Sequence, residues 1–456
     1  MVIERIAAEV DEPTPRGIAA AISMLIRTGE FPPGTRLPTV RAIGARLGVS
    51  PATVSHAWQA LHGAGLVQAR GRAGTVVLEP VPPRLTGRSR GLAARASGSE
   101  PVAVRLDLAA GLPDPLLLPD IRPSVERTAP ARATVSSYLQ PPLLPELEPV
   151  LRDLWPYDPP ALTVVDGAMD GVQRVLAEVS RFGDRVVVES PGFPLLLDLL
   201  SHMHLEAVPV ALDERGMRPE GLRAALASRP CAVVLQPRAQ NPTGASMDKA
   251  RASELADVLA AHPDARDTLV IEDDHSGAIA AASPVSLGAH LPDRTARILG
   301  LSKSHGPDLR IAALSAPQAL VDAVVAHRVL GPGWTSRLVQ GVVLDLLTHD
   351  EPRRAVARAR HEYYVRQREL ARSLGDRGAP MRVADGLNTW LPVADERRAQ
   401  VRLAAHGIRV SLGSAFDAGG TSTAGSPDAG EHVRVSIGML RDSIPEVAAT
   451  LAEATA

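Results

Sequence analysis

Seven short apolar runs, separated by stretches of helical length, restrict the fold of this chain more than any other feature. They are ALTVVDG (161–167), DRVVVESPG (184–192), LEAVPVAL (205–212), CAVVLQP (231–237), TLVIEDD (268–274), ARILGLS (296–302) and IAALSAP (311–317). Most are continuous rather than alternating, as expected of strands covered on both faces. Such strands with helical connections build a mainly parallel sheet flanked by helices. Residues from about 104 onward therefore read as an α/β domain, and ligands of such sheets bind beyond the carboxyl ends of the strands. The polar motifs fall at those ends. The chain has 456 residues, 45% of them hydrophobic and 22% charged, which is enough for two or three buried cores.

LSKSHGPDLR (301–310) holds one of only two lysines, Lys303. The other is Lys249, and arginine supplies the rest of the 49 basic residues. Arginine hydrogen-bonds better but stays protonated and cannot form an imine with an aldehyde, so a lysine retained here points to amine chemistry. Other groups join it. Asp273 ends TLVIED; Gly167, Ala168 and Met169 follow a strand and open a helix, where backbone N–H groups favour a phosphate. Arg310 adds a charged fork, Phe193 in ESPGFP a flat ring, and Asn241 in QNPTG a donor. Together these groups suit an aldehyde cofactor with a pyridine ring, a phosphate and a phenolic oxygen. Each alone has a plainer reading. Asp273, beside Glu272 and Asp274, could be a solvated strand end; Ser302–Lys303 a loop lysine or a Ser–Lys hydrolase pair; NPTG an ordinary turn.

Residues 14–77 differ in charge. From Arg16 to Arg72 there are seven arginines and one acid, Glu30, a local basic surface inside a chain of net charge -2. Apolar residues at helical spacing (Ile18, Ile22, Leu25; Val40, Ile43, Leu47; Val54, Trp58, Leu61) predict three short helices. Gly48 ends the second, and Ser50 caps the third with Pro51 at its first position. LVQARGRAGTVV then reads as two strands with a glycine- and arginine-bearing tip, a wing on a helix-turn-helix. The plainer alternative is a small three-helix bundle with a solvated arginine face. Residues 78–103, rich in Pro, Gly, Ser and Arg, read as a linker.

The run GEFPPGTRLPTVRAIGARLGVSPATVSHAWQALHGAGLVQARGRAGTVV closely resembles the winged helix-turn-helix domain of the GntR family of bacterial transcription regulators. The order of Phe193, NPTG, IEDD and LSK...LR over residues 104–456 is similar to that of aminotransferases of fold type I. Joined, the two resemble the MocR subgroup of GntR regulators. That resemblance implies an N-terminal DNA-binding domain plus a pyridoxal 5'-phosphate-dependent transferase fold. It implies a double-stranded DNA operator, an amine or amino acid effector, and a homodimer. Lys303 would take the cofactor aldehyde, Asp273 the pyridine nitrogen, and Arg434 an effector carboxylate, with Asn388 near the same wall of the effector site. Ser302 would lie with Lys303 at the cofactor, and Tyr138 would reach the phosphate of a neighbouring subunit. Arg41, Ser50, Thr53, Ser55, Arg70, Gly71 and Arg72 would contact DNA, with arginines and helix N-termini on phosphates and short polar side chains at base edges.

Four positions depart from that pattern. Pro51 stands where many relatives have a basic residue. His275 replaces a tyrosine and is expected to hydrogen-bond the phenolic oxygen and titrate near neutrality. Gly300 replaces a hydroxyl residue. Asp166 stands in the phosphate loop and is expected to turn away, capping the helix that follows. Cys231 is the only cysteine, so neither an internal disulfide nor a cysteine-based zinc site can form, and no metal is expected. No apolar run of transmembrane length or signal peptide is evident, so a cytoplasmic protein is expected. Three functions follow from the residues: a regulator whose Lys303 site senses a cofactor, a working aminotransferase carrying a DNA-binding domain, or a regulator whose pocket has lost the cofactor and binds another ligand.

Overall fold

The computed structural model describes residues 2–63, 66–69, 74–79, 104–132, 137, 140–419 and 430–455, which fall into two compact units. In the N-terminal one the order is α1 (Val2–Glu9), α2 (Pro15–Arg27), β1 (Arg36–Leu37), α3 (Val40–Leu47), α4 (Pro51–Gly63), β2 (Val67–Ala69) and β3 (Thr75–Val77). The strands form an antiparallel sheet in the order β1-β3-β2. Ile18, Ile22, Leu25, Ile43, Val54, Trp58 and Leu61 close one core with Val67 and Val77, so the helical stripe read from the sequence is the buried one. Hydroxyl caps start each helix of the motif: Gly17 N–H donates to Thr14 Oγ1 (3.1 Å), Ala42 N–H to Thr39 Oγ1 (3.2 Å) and Thr53 N–H to Ser50 Oγ (3.1 Å). Gly48 ends α3 in the left-handed region at φ 70°, which glycine enters at no steric cost.

Helix α1 lies ahead of the domain expected from the sequence. Its Ile6 is fully buried in the same core. Glu4 pairs with Arg46 (2.7 Å) and Arg5 with Glu30, so one arginine counted in the basic surface is already neutralised by an acid outside that stretch.

The second unit is built on an eight-stranded sheet: β5 (Ala161–Val165), β6 (Arg185–Ser190), β7 (Glu206–Asp213), β8 (Gly216–Met217), β9 (Ala232–Leu235), β10 (Leu269–Asp274), β11 (Thr295–Gly300) and β12 (Ala312–Ala316), preceded by the two-residue β4 (Leu106–Asp107). The spatial order is β5-β12-β11-β10-β9-β6-β7-β8. β9, β10 and β11 run parallel, whereas β12 is antiparallel to both β11 and β5. IAALSAP, read only as one more strand, thus reverses direction within the sheet, as the short β8 does against β7. Val233 and Val270 on the strands share one core with Leu255 and Leu259 of the helix Lys249–Ala261.

A smaller antiparallel sheet, β13 (Asn388–Val393), β15 (Ser411–Leu412) and β16 (Glu431–Ser436), has the order β13-β16-β15. Helices Asp350–Gly375, Glu396–Ala405 and Ile444–Thr455 share its core through Leu370, Leu403 and Leu451. β14 (Ile408–Arg409) pairs in parallel with β4.

Candidate functional site

The carboxyl ends of β9, β10 and β11 open into a cavity of about 840 Å³. Twelve of the residues singled out in the sequence line it: Ala168, Met169, Phe193, Asn241, Asp273, His275, Gly300, Ser302, Lys303, Arg310, Asn388 and Arg434. Tyr138, Arg70, Gly71 and Arg72 lie outside the described residues.

Strand periodicity decides which acid faces the cavity. Successive side chains of β10 point to opposite faces, so Asp273 is on one side and Glu272 and Asp274 on the other. All three are buried, which removes the reading of a solvated strand end. Asp274 is held by Arg238 (2.7 Å) and Arg297. Glu272 accepts from Ser286 Oγ (2.6 Å) and Leu287 N–H (2.7 Å). Asp273 accepts from Gln236 Nε2 at 2.8 Å on Oδ2, while its buried Oδ1 has no hydrogen-bond partner among the described residues. Burial pushes its carboxyl above the ordinary range, against the opposing effects of His275 and Gln236. A buried acceptor of this kind matches a protonated pyridine nitrogen.

Lys303 sits on the turn after β11 and donates to Gly111 O at 2.6 Å. Burial, then the positive charge of Arg434, bring its pKa down to about 8, with Asp273 acting in the opposite direction. The amine therefore has a sizeable neutral fraction near neutral pH.

The loop after β5 forms a cradle. Gly167 has φ +112°, which strains any other residue, and a Cβ there would lie 2.6 Å from Arg310 Nη2, so a side chain would displace the guanidinium from this position. Arg310 donates to Asp166 O (3.0 Å), which aims it at the N-terminus of the helix Ala168–Val179. The Asp166 side chain does turn away, but it does not cap that helix. It accepts from Arg328 Nη2 (3.1 Å) and Thr335 Oγ1 (2.6 Å), while Asp170 accepts the Asp166 N–H at 3.0 Å. The acid is thus neutralised by a buried arginine on the far side, and the cradle keeps its positive character. Gly300 is tight: a Cβ would lie 3.3 Å from the His275 backbone and 3.6 Å from Ala168 Cβ.

His275 differs from the expectation of a near-neutral group on a phenolic oxygen. Its Nε2 donates to Ala239 O at 3.1 Å, and Nδ1 lies 3.4 Å from Ser276 Oγ. A carbonyl can only accept, so Nε2 carries the proton. Burial lowers the pKa, and the nearby acids offset this only in part, leaving a neutral ring.

Arg434, on β16, donates to Asn241 Oδ1 (3.2 Å), to Ser411 Oγ (3.1 Å) and to Ala109 O, and its guanidinium lies 5.2 Å from the Phe416 ring centre. Asn388 Oδ1 accepts from Ser436 Oγ at 3.1 Å. Two backbone carbonyls of the segment 109–111 thus meet two of the cationic side chains of the cavity, Lys303 and Arg434. In the N-terminal unit, Arg41 and Ser50 are exposed and Thr53 and Ser55 half-buried; the Ser50 and Thr53 hydroxyls are bonded to each other at 2.9 Å.

Three contributors escaped the sequence reading. Gln236 and Arg328 carry no motif, and Glu189 lies in the unassigned part of VVVES. Glu189 accepts from Gln236 N–H (3.1 Å), and burial raises its pKa to about 8.

The fold and the cavity define a winged helix joined to a domain of aminotransferase architecture. Comparison with known proteins agrees. Residues 14–77 match the bacterial regulatory proteins of the gntR family, and residues 104–451 match aminotransferase class I and II. The vitamin B6 salvage pathway transcriptional repressor PtsJ of Salmonella typhimurium is 34% identical over 440 residues, 95% of this chain and 96% of its own. The pyridoxine biosynthesis transcriptional regulator PdxR of Corynebacterium glutamicum is 29% identical over 389 residues, 81% of each chain. Among solved structures, kynurenine aminotransferase from Pyrococcus horikoshii shares the fold with a TM-score of 0.68 at 20% identity, over 81% of this chain and 94% of its own. The chain belongs to the MocR subgroup of the GntR family, transcription regulators that join a winged helix to an aminotransferase class I and II domain. Among the described residues no helix is long and apolar enough to cross a membrane.

Proposed function

We propose that this protein is a cytoplasmic, homodimeric regulator that binds a double-stranded DNA operator and senses pyridoxal 5'-phosphate, or its adduct with an amine or amino acid, in the Lys303 cavity. The reading rests on one observation above all. A lysine with a lowered pKa, an Asp273 Oδ1 buried without a partner among the described residues, and Arg310 line one cavity, with Gly167 packed against the Arg310 guanidinium. Lys303 would take the aldehyde, which supplies a reversible covalent attachment to a primary amine. Asp273 would hold the ring nitrogen. Asn241 would lie by the phenolic oxygen and Phe193 on the ring face, while His275, its ring proton given to Ala239 O, would line the pocket as a neutral ring. Gly167, Ala168, Met169, Arg310 and Ser302 would hold the phosphate, with Tyr138 of the second subunit. Arg434 and Asn388 would receive an effector carboxylate.

DNA would be gripped by Arg41, by the start of α4 at Ser50, Thr53 and Ser55, and by the wing at Arg70, Gly71 and Arg72. That two relatives bear names tied to vitamin B6 salvage and pyridoxine biosynthesis supports a vitamer as the sensed molecule. Regulation requires the ligand to bind one arrangement of the DNA-binding domains better than another. The test is fluorescence anisotropy of operator DNA with and without pyridoxal 5'-phosphate. The expected result is a ligand-dependent affinity in the natural protein and a ligand-independent one in Lys303→Ala. Many turnovers per site with amino donors would instead favour the catalytic alternative.

A further inference from the structure

From the hydrogen bonds at the ends of β9 and β10 we infer that Gln236 is a positioning residue for the pyridine ring, orienting the Asp273 carboxylate toward the ring nitrogen and fixing Asn241 at the same time. The inference rests on the cofactor reading above.

The parallel register places Leu235 opposite Glu272. One step on, Gln236 stands beside Asp273, and both line the cavity. A carboxylate at the end of a strand can rotate, and either oxygen can serve. Here Gln236 Nε2 takes Oδ2 at 2.8 Å, which leaves the buried Oδ1 without a partner among the described residues. The other end of the same amide, Oε1, accepts the Asn241 N–H at 2.8 Å. Gln236 is itself anchored, since its backbone N–H donates to Glu189 Oε2 at 3.1 Å.

One buried amide therefore bridges the acid meant for the ring nitrogen and the loop whose side chain is meant for the phenolic oxygen. Only glutamine of the common side chains fills this place. It needs a donor at one end and an acceptor at the other, with the length to span them. A glutamate would set a second carboxylate against Asp273, and an apolar residue would leave two buried groups unpaired.

The test pairs a change in the protein with a change in the ligand. Dissociation constants are measured by absorbance titration for pyridoxal 5'-phosphate and for its 1-deaza analogue, in which CH replaces the ring nitrogen. The proteins are the natural one, Gln236→Glu, Gln236→Met, Asp273→Asn and the double variant Asp273→Asn/Gln236→Glu, with folding checked by thermal melting. Gln236→Glu should weaken pyridoxal 5'-phosphate by about tenfold, the scale of one hydrogen bond to a charged group, and the deaza analogue by less than about threefold, whereas Gln236→Met, which also releases Asn241, should weaken both ligands but pyridoxal 5'-phosphate by several-fold more. In the Asp273→Asn background the effect of Gln236→Glu should vanish. Equal losses for both ligands, or none, would overturn the assignment, because a merely structural glutamine does not distinguish nitrogen from carbon. If Gln236→Met does not fold, Gln236→Glu decides, since it keeps the shape and the acceptor for Asn241. Failure of the natural protein to bind pyridoxal 5'-phosphate would overturn the underlying cofactor reading, and the inference with it.

Discussion

Lys303 should react with aldehydes at a pH where an ordinary lysine is inert. Burial and the Arg434 charge bring it to about 8, so at pH 7 about 9% of the amine is neutral, against about 0.04% for a lysine of pKa about 10.4. That is a roughly 200-fold excess of the nucleophilic form. The assay is reductive methylation by formaldehyde and a borohydride reagent from pH about 6 to about 10, read by peptide mass spectrometry. Because the chain has only two lysines, Lys303 and the exposed Lys249 are resolved in one digest. Modification of Lys303 should rise with a midpoint near 8 and outrun Lys249 at neutral pH. The sign is testable on both neighbours. Arg434→Gln removes a positive charge that disfavours the ammonium, so the midpoint should move up; Asp273→Asn removes a charge that favours it, so the midpoint should move down. A Lys303 midpoint above about 10, or equal rates at the two lysines near neutrality, would refute the argument.

Three further outcomes are expected. Gly167→Ala would put a Cβ 2.6 Å from Arg310 Nη2 at a φ of +112°, a strain of about 1–2 kcal/mol. Titration should then show pyridoxal 5'-phosphate weakened by about tenfold with unphosphorylated pyridoxal nearly unchanged. Asp114, buried, accepts from Arg366 (3.1 Å) and Arg441 (2.8 Å), so Asp114→Asn leaves the buried Arg366 guanidinium with Glu362 as its remaining carboxylate partner and should cost about 1–3 kcal/mol in denaturant melts. Burial works to raise that carboxyl, but hydrogen bonds from Arg441, Leu116 and Arg366 outweigh it and hold the pKa below the usual value. Its contribution is therefore present at neutral pH and lost as pH falls through the depressed pKa. Arg41→Ala should weaken operator binding evenly across sequences and lower the salt slope by about one unit, measured by anisotropy over a salt series.

Much of the site was legible in the sequence because the chemistry narrows the residue types. An imine needs Lys303, a pyridine nitrogen needs an acid such as Asp273, and a close-approaching phosphate favours glycine at 167. Apolar runs and caps were legible for the same local reason: Ser50 with Pro51, and Gly48, act within one turn of chain. What lay beyond local pattern was not. Helix α1 shows helical spacing in IERIAAEV, yet its docking depends on Ile6 reaching the core and Glu4 reaching Arg46, 42 residues away.

The sequence by itself determined the strand-helix order, the winged helix and the set of groups able to serve a cofactor. Only the tertiary structure decided how they are used. It turned Asp273 into the cavity and its acidic neighbours away, because a strand alternates faces. It sent Asp166 to Arg328, bound His275 to the Ala239 carbonyl, and joined Asp273 to Asn241 through Gln236. These contacts link residues distant in sequence, and the packing of strands, not the identity of any one residue, brings them within hydrogen-bond reach.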